Sequence, residues 1–220
     1  MKSQVHNLKI PSPFYQEYPY EDGAGIGNHR YLCPAIVRGL SVLPDKARVL
    51  DIGCGNGSLT AAWANNGWDV TGIDPSESGI AHAKSCHPHI AFLHMPVGPG
   101  VVEQFGERSF DAIVSAEVVE HLYAPRQLAE SSFRLLKDGG VLIMTTPYHG
   151  YFKNLVMAAT GTMDRHWTAL WDGGHIKFWS SKTMAILLTE AGFTGLEFGG
   201  AGRLPYLWKS MVVRAWKSKP

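Results

Sequence analysis

Two short stretches of this 220-residue chain combine residue types that can do chemistry. The first, Val49-Leu50-Asp51-Ile52-Gly53-Cys54-Gly55-Asn56-Gly57, is an apolar run that ends on a carboxylate and enters three glycines spaced by single residues. Glycine permits a sharp turn and lets a ligand approach the backbone with no Cβ in the way. A helix opening after such a turn also offers unpaired N–H groups. A plain strand-to-helix turn would need only one or two of these glycines. A dinucleotide loop would read G-x-G-x-x-G, and its last glycine is Ser58 here. Some twenty residues on, Asp74 closes the apolar run of Gly72-Ile73-Asp74-Pro75-Ser76, where a carboxylate can accept from both hydroxyls of a ribose. Asp51 discriminates between ligands: it repels a diphosphate and suits a ligand bearing an ammonium and a sulfonium.

The second stretch is Glu117-Val118-Val119-Glu120-His121. If it begins a helix, positions i, i+3 and i+4 place two carboxylates and an imidazole on one face. Three such groups without a cation would repel one another or shift their pKa values, so a metal explains them more simply. Another candidate ligand stands in Gly173-Gly174-His175-Ile176-Lys177-Phe178-Trp179. The metal-free alternative makes Glu117 a helix-entry acid, His121 a general base and His175 a hydrogen-bonding lid residue. His82, His87 and His89 read as solvated surface.

Composition bounds what these groups can serve. Hydrophobic residues make up 45% and charged residues 18%, with a net charge of +1, which describes one folded domain. So balanced a chain has no cationic excess with which to hold a long nucleic acid. Cys33, Cys54 and Cys86 are odd in number and form no CxxC pair, so they read as structural thiols. No run reaches the ~18–20 apolar residues of a membrane span, and residues 1–10 lack a signal layout, so the cytoplasm is the expected location.

Short apolar runs at 48–52, 69–73, 90–93, 110–115 and 140–145 alternate with helical patterns, which predicts a parallel sheet covered on both faces. Helical spacing joins Leu59, Ala62 and Trp63, then Leu128, Ser132, Leu135 and Leu136, then Met184, Leu187, Leu188 and Ala191. The last of these has Ser180 or Ser181 as N-cap and Gly192 just past its end. Two further runs, 195–198 and 209–216, have no helix between them and predict an antiparallel pair closing the sheet. Residues 1–47 read as an irregular arm leading to a cap helix around 31–40, and the arm, with Tyr18, Tyr20, His29 and Arg30, is expected to close over a bound ligand. Residues 48–220 form the main domain, interrupted by an irregular insertion at 148–174.

With Asp51, Gly53, Gly55 and Gly57, then Asp74, then residues 110–115 and Leu135-Leu136-Lys137-Asp138-Gly139-Gly140, the chain from 48 to about 216 resembles a class I S-adenosylmethionine-dependent methyltransferase. The charge argument on Asp51 selects the same cofactor over NAD. The resemblance implies a doubly wound, seven-stranded, mostly parallel α/β sheet with an antiparallel last strand. It assigns the methionine end to Asp51, Gly53, Cys54 and Gly55, the ribose to Asp74 beside Pro75, and a further contact to Ala116. The adenine loop, His94-Met95-Pro96-Val97-Gly98, lacks the family's usual acid, which leaves Val97 to pack on the ring. Glu-x-x-Glu-His followed by a distant His is similar to the metal-dependent ubiquinone-pathway O-methyltransferases and the small-RNA 3′-terminal ribose methyltransferases. That likeness implies Glu117, Glu120, His121 and His175 as ligands of Mg²⁺ or Mn²⁺.

A metal of this kind lowers the pKa of a coordinated hydroxyl, so the expected reaction is O-methylation of a small molecule with neighbouring hydroxyls, a catechol, quinol or sugar. The insertion, with Tyr151, Phe152, Lys153, Arg165, His166, Trp167 and Trp171, follows the fifth strand at the ligand-binding end of an open sheet and suits a lid. Its run 155–159 suggests weak membrane-surface contact. The competing readings are a non-catalytic module that holds the cofactor, and a nicotinamide-dependent dehydrogenase.

Overall fold

The computed structural model describes residues 27–167, 169–171 and 173–219, the side chain of Arg165 excepted, so Tyr18 and Tyr20 lie outside the described residues. The predicted strands form where the apolar runs stand: β1 Arg48–Ile52, β2 Asp69–Asp74, β3 Ala91–His94, β4 Phe110–Ala116, β5 Leu136–Pro147, β6 Thr194–Ala201 and β7 Ser210–Trp216. They make one seven-stranded sheet in the order β3-β2-β1-β4-β5-β7-β6. All neighbours are parallel from β3 to β5, and β7 runs antiparallel between β5 and β6. The chain works outward from β1 to β3 and then returns to β4 on the other side of β1. That reversal opens a crevice at the carboxyl ends of β1 and β4, where open α/β sheets bind ligands.

The strands carry apolar side chains on both faces because both faces are covered. One face is packed by α1 (His29–Leu40) and α2 (Ser58–Ala64), which bury Leu32, Ile36, Leu40 and Trp63, with α3 (Glu77–Cys86) beside them burying Ile80 and Ala83. The other holds α4 (Pro99–Phe105), α5 (Pro125–Leu135) and α8 (Ser181–Glu190), which bury Val101, Leu128, Leu135, Met184 and Leu188. Ser180 caps α8 through a reciprocal pair with Thr183, and Gly192 follows it at φ +101°.

Three local expectations need correction. Leu136 belongs to β5 and not to the preceding helix: it pairs with Phe110, after which a bulge delays regular pairing until Ala112 meets Val141. That bulge explains why the periodic part of β5 begins near Gly140. The insertion is not irregular, since α6 (Tyr151–Ala159) and α7 (Met163–Trp167) form within it. Its apolar side chains are scattered rather than gathered into a clean stripe: Lys153 and Met157 face inward while Tyr151, Phe152 and Leu155 stay exposed. Finally, residues 117–121 do not begin an α-helix. Glu117 takes φ +56°, and only Val119–His121 make a single 3₁₀ turn.

Candidate active site

At the carboxyl ends of β1 and β2 the glycine loop is built by internal packing. Gly53, Gly55 and Gly57 all have positive φ. A Cβ on Gly53 would stand 2.3 Å from Val118 Cγ2, and one on Gly57 would meet Phe92 and Ala83 below 3 Å. These two glycines are thus required by the protein's own side chains, in addition to any ligand. Cys54 points into a small cluster with Ile80 and Phe92 and, like Cys33 and Cys86, is a free thiol. Asp74 accepts from the Gly55 N–H and the Ser76 N–H, both at 2.8 Å, and so ties the two ligand-facing loops together. Asp51 is buried and accepts from the Thr60 hydroxyl at 2.6 Å.

Burial raises the pKa of both aspartates, that of Asp51 to about 7, and their mutual repulsion adds to the rise in Asp51. Among the described residues neither forms an ion pair. Two buried carboxylates without a cation, each with acceptor capacity left, fit a ligand that brings positive charge and hydroxyls. The donor chemistry therefore suits S-adenosylmethionine. Pro75 follows Asp74 directly, and its carbonyl lies 2.7 Å from His94 Nε2. Ala116 ends β4, the strand next to β1. Val97 is buried among core side chains such as Leu50 and Val101, which leaves little of its surface for an adenine ring.

Beyond β4, the 3₁₀ turn and the segment after α7 are fastened together. The Glu120 carbonyl accepts from the N–H groups of Ile176 and Lys177, at 3.0 and 3.1 Å. This clip holds His175 against the turn. One donor atom from each of Glu120, His121 and His175 can be chosen such that all lie within 4.8 Å of one another. Ligands about 2.1 Å from one ion stand up to about 4.2 Å apart, so a small closure would complete such a group.

The protonation states agree with a cation site. His121 Nδ1 faces the Gly173 and Gly174 carbonyls at 2.9 and 3.2 Å, which makes Nδ1 the protonated nitrogen and leaves Nε2 with its lone pair. Burial lowers the pKa of His121, and lowers that of His175 to about 4, so both rings are neutral at pH 7. Glu120 is 1% exposed. Its Oε2 accepts from Thr146, whereas its buried Oε1 has no hydrogen-bond partner among the described residues and stands 3.9 Å from His175 Nε2. Burial first, and the charge of Glu117 second, push its pKa well up.

Glu117 is not gathered with these three. Its carboxylate accepts from Thr145 at 2.8 Å and from Ser210, and burial raises its pKa to about 7. It lines, together with His175, a cavity of about 990 Å³ between β5, α6 and the β6–β7 connection. The hydroxyls of Thr145 and Thr146 that hold Glu117 and Glu120 were absent from the sequence-based set. Their signal was two hydroxyl residues closing a buried apolar run at the ligand end of a parallel strand.

A family model described as a methyltransferase domain matches residues 26–197. The ubiquinone biosynthesis O-methyltransferase of Psychrobacter arcticus is 30% identical over 162 residues, covering 70% of this chain and 61% of that protein. The enzyme of the same name from a Ruegeria species is 31% identical over 167 residues, covering 74% and 66%. The chain thus spans less than two thirds of the length of these curated relatives. The crystal structure of YcgJ from Bacillus subtilis shares the fold, with a TM-score of 0.68 at 14% identity over 86% of this chain and 99% of that one. With the family match over most of its length and this sheet order, the chain belongs to the class I S-adenosylmethionine-dependent methyltransferases, in the methyltransferase-domain family.

Proposed function

We propose that the protein is an enzyme that transfers the methyl group of S-adenosylmethionine to a hydroxyl of a small molecule carrying neighbouring hydroxyls, a catechol, quinol or sugar, with help from Mg²⁺ or Mn²⁺. The observation that carries the metal-assisted reading is Glu120 Oε1, a buried carboxylate oxygen without a donor, facing two imidazoles held neutral. In its charged form such a carboxylate is expensive to bury, and a cation is the partner that its surroundings suit.

Asp51, Gly53, Cys54 and Gly55 would hold the methionine end, Asp74 and Pro75 the ribose, and Ala116, with Val97 at most marginally, the remaining edge. The cofactor supplies a methyl group already activated by its sulfonium, so the protein's main task is to align and prepare the nucleophile. Glu120, His121 and His175 would hold the ion, with Glu117 as a fourth ligand after a side-chain rotation away from Thr145. Such an ion lowers the pKa of a coordinated hydroxyl. In the metal-free form of the proposal, His121 or His175, neutral at pH 7, accepts the hydroxyl proton directly.

The segment 148–174 would serve as a lid, because α6 lines the cavity through Lys153, Val156 and Met157. Tyr151, Phe152 and Leu155 stay exposed on that helix, which supports weak contact with a membrane surface that presents the acceptor. Among the described residues no helix is long and apolar enough to cross a membrane. The test is labelled-methyl transfer to catechol by enzyme stripped with EDTA. We expect a loss of at least about 100-fold, restored by Mn²⁺; full activity after stripping removes the metal from the mechanism.

A further inference from the structure

The walls of the cavity beside Glu117 carry more positive charge than the reaction needs. Lys153 from α6 and Arg203 and Lys209 from the β6–β7 connection line it, together with His166 and His175, and among the described residues Glu117 is the one carboxylate in its wall. Among the described residues no carboxylate oxygen lies within 4.0 Å of any of these three cations. Lys153 is the most telling of them, because the residue is only 7% exposed. Its Nζ spends one donor on the Tyr148 carbonyl at 2.8 Å and has two left. Lys209 Nζ sits over the Tyr31 ring at 5.2 Å, and Tyr31 lines the same cavity.

From this geometry we infer that the acceptor carries an anionic group, a carboxylate or a phosphate, which Lys153, Arg203 and Lys209 bind while its hydroxyls face Glu117 and His175. Burying an ammonium without a counter-ion is unfavourable, and a bound anion relieves it. The low dielectric that makes Lys153 costly also strengthens a charge-assisted bond to it. In agreement, burial and then the neighbouring Arg203 lower the Lys153 pKa to about 8. The cofactor's own carboxylate is not the anion meant, since no residue of the glycine loop lines this cavity. The apolar remainder of the wall, Val156, Met157, Leu204 and Leu207 among it, suits a ring or chain next to that anion.

The inference deepens the proposed function and rests on it for the position of the reacting hydroxyl. Its test is calorimetric binding to the full chain, saturated with S-adenosylhomocysteine, of two matched pairs: catechol against 3,4-dihydroxybenzoate, and glucose against glucose 6-phosphate. The charged member of at least one pair should bind about tenfold tighter than its neutral partner, and the pair that shows it identifies carboxylate or phosphate. The advantage should shrink with added salt and disappear in the double variant Arg203→Gln, Lys209→Gln. Both side chains are exposed, so the variant should fold and keep its affinity for S-adenosylhomocysteine. Equal affinities within both pairs, no binding of either anion, or a preference that survives the double variant overturns the inference. Catechol methylation without any anion advantage would leave the methyltransfer reading standing and defeat only this one. An Arg203-dependent anion preference in a protein that methylates no hydroxyl would do the reverse.

Discussion

The two halves of the site treat buried carboxylates differently. At the ends of β1 and β2, protein donors meet them: Asp74 takes two backbone N–H groups and Asp51 takes the Thr60 hydroxyl. Past β4, Thr146 meets one oxygen of Glu120 and none of the described residues donates to the other, while the two nearby imidazoles are kept neutral. The first half is assembled by folding alone. In the second, burial disfavours the charged form of Glu120 and the two nearest imidazoles are neutral, so that charged form becomes favourable only with a cation present. Cofactor binding should therefore be robust to changes in metal, and methyl transfer should not be.

The largest expected effect follows from removing that buried charge. Glu120→Gln should reduce methyl transfer roughly 1,000-fold, several kcal/mol of transition-state stabilisation, while the metal-free protein becomes more stable at pH 8 and its affinity for S-adenosylhomocysteine is unchanged. Thermal melts alongside single-turnover rates check both halves of this. A variant as active as the parent would place the chemistry elsewhere.

Next comes an acid response that His149 contributes to the α6–α7 segment. His149 is buried against His166 and Phe178, and burial, helped by the charges of His166 and Lys153, lowers its pKa to about 4. A histidine with a lowered folded pKa contributes stability that is complete above its unfolded value of 6.5 and is lost as pH falls through about 4. Up to about 3 kcal/mol is at stake. Amide exchange in α6 and α7, corrected for intrinsic rates, should accelerate across this window while β1 and β4 stay protected, and His149→Gln should flatten the response. Uniform exchange would remove the distinction between this segment and the scaffold.

An effect of opposite sign belongs to Asp51. Its pKa is raised, so the folded protein loses stability as pH rises from 3.8 towards about 7 and levels off above. Asp51→Asn keeps the Thr60 bond and escapes the penalty. Its stability advantage over the parent should grow between pH 4 and 7, while its affinity for S-adenosylhomocysteine falls about tenfold, the worth of one charge-assisted contact. A variant that binds undiminished would sever Asp51 from the cofactor.

What was legible in the sequence follows the same division. The glycine loop, Asp51 and Asp74 lie within one β-α-β stretch, so spacing along the chain nearly fixes their spacing in space. The strand runs were equally readable because both faces of the sheet are buried. The grouping of His175 with Glu120 and His121 was named through the resemblance and not through spacing, because His175 arrives from residues far along the chain, held by backbone bonds to the Glu120 carbonyl that no side-chain pattern announces. The helical reading of 117–121 failed because Glu117 turns left-handed, accepting an unfavourable φ where its N–H reaches the Thr145 carbonyl. The helices α6 and α7 went unread because their apolar residues split between cavity and solvent, and Arg203 and Lys209 sit in a connection whose glycine and proline announce only a turn.

The most direct test of the central claim is Mn²⁺ binding to the full chain, followed by electron paramagnetic resonance. One ion per chain should bind, with histidine nitrogen visible in its coordination, and the site should be lost in His175→Ala. A protein that leaves Mn²⁺ free in solution at millimolar concentration, or one whose bound ion is indifferent to His175, would contradict the account.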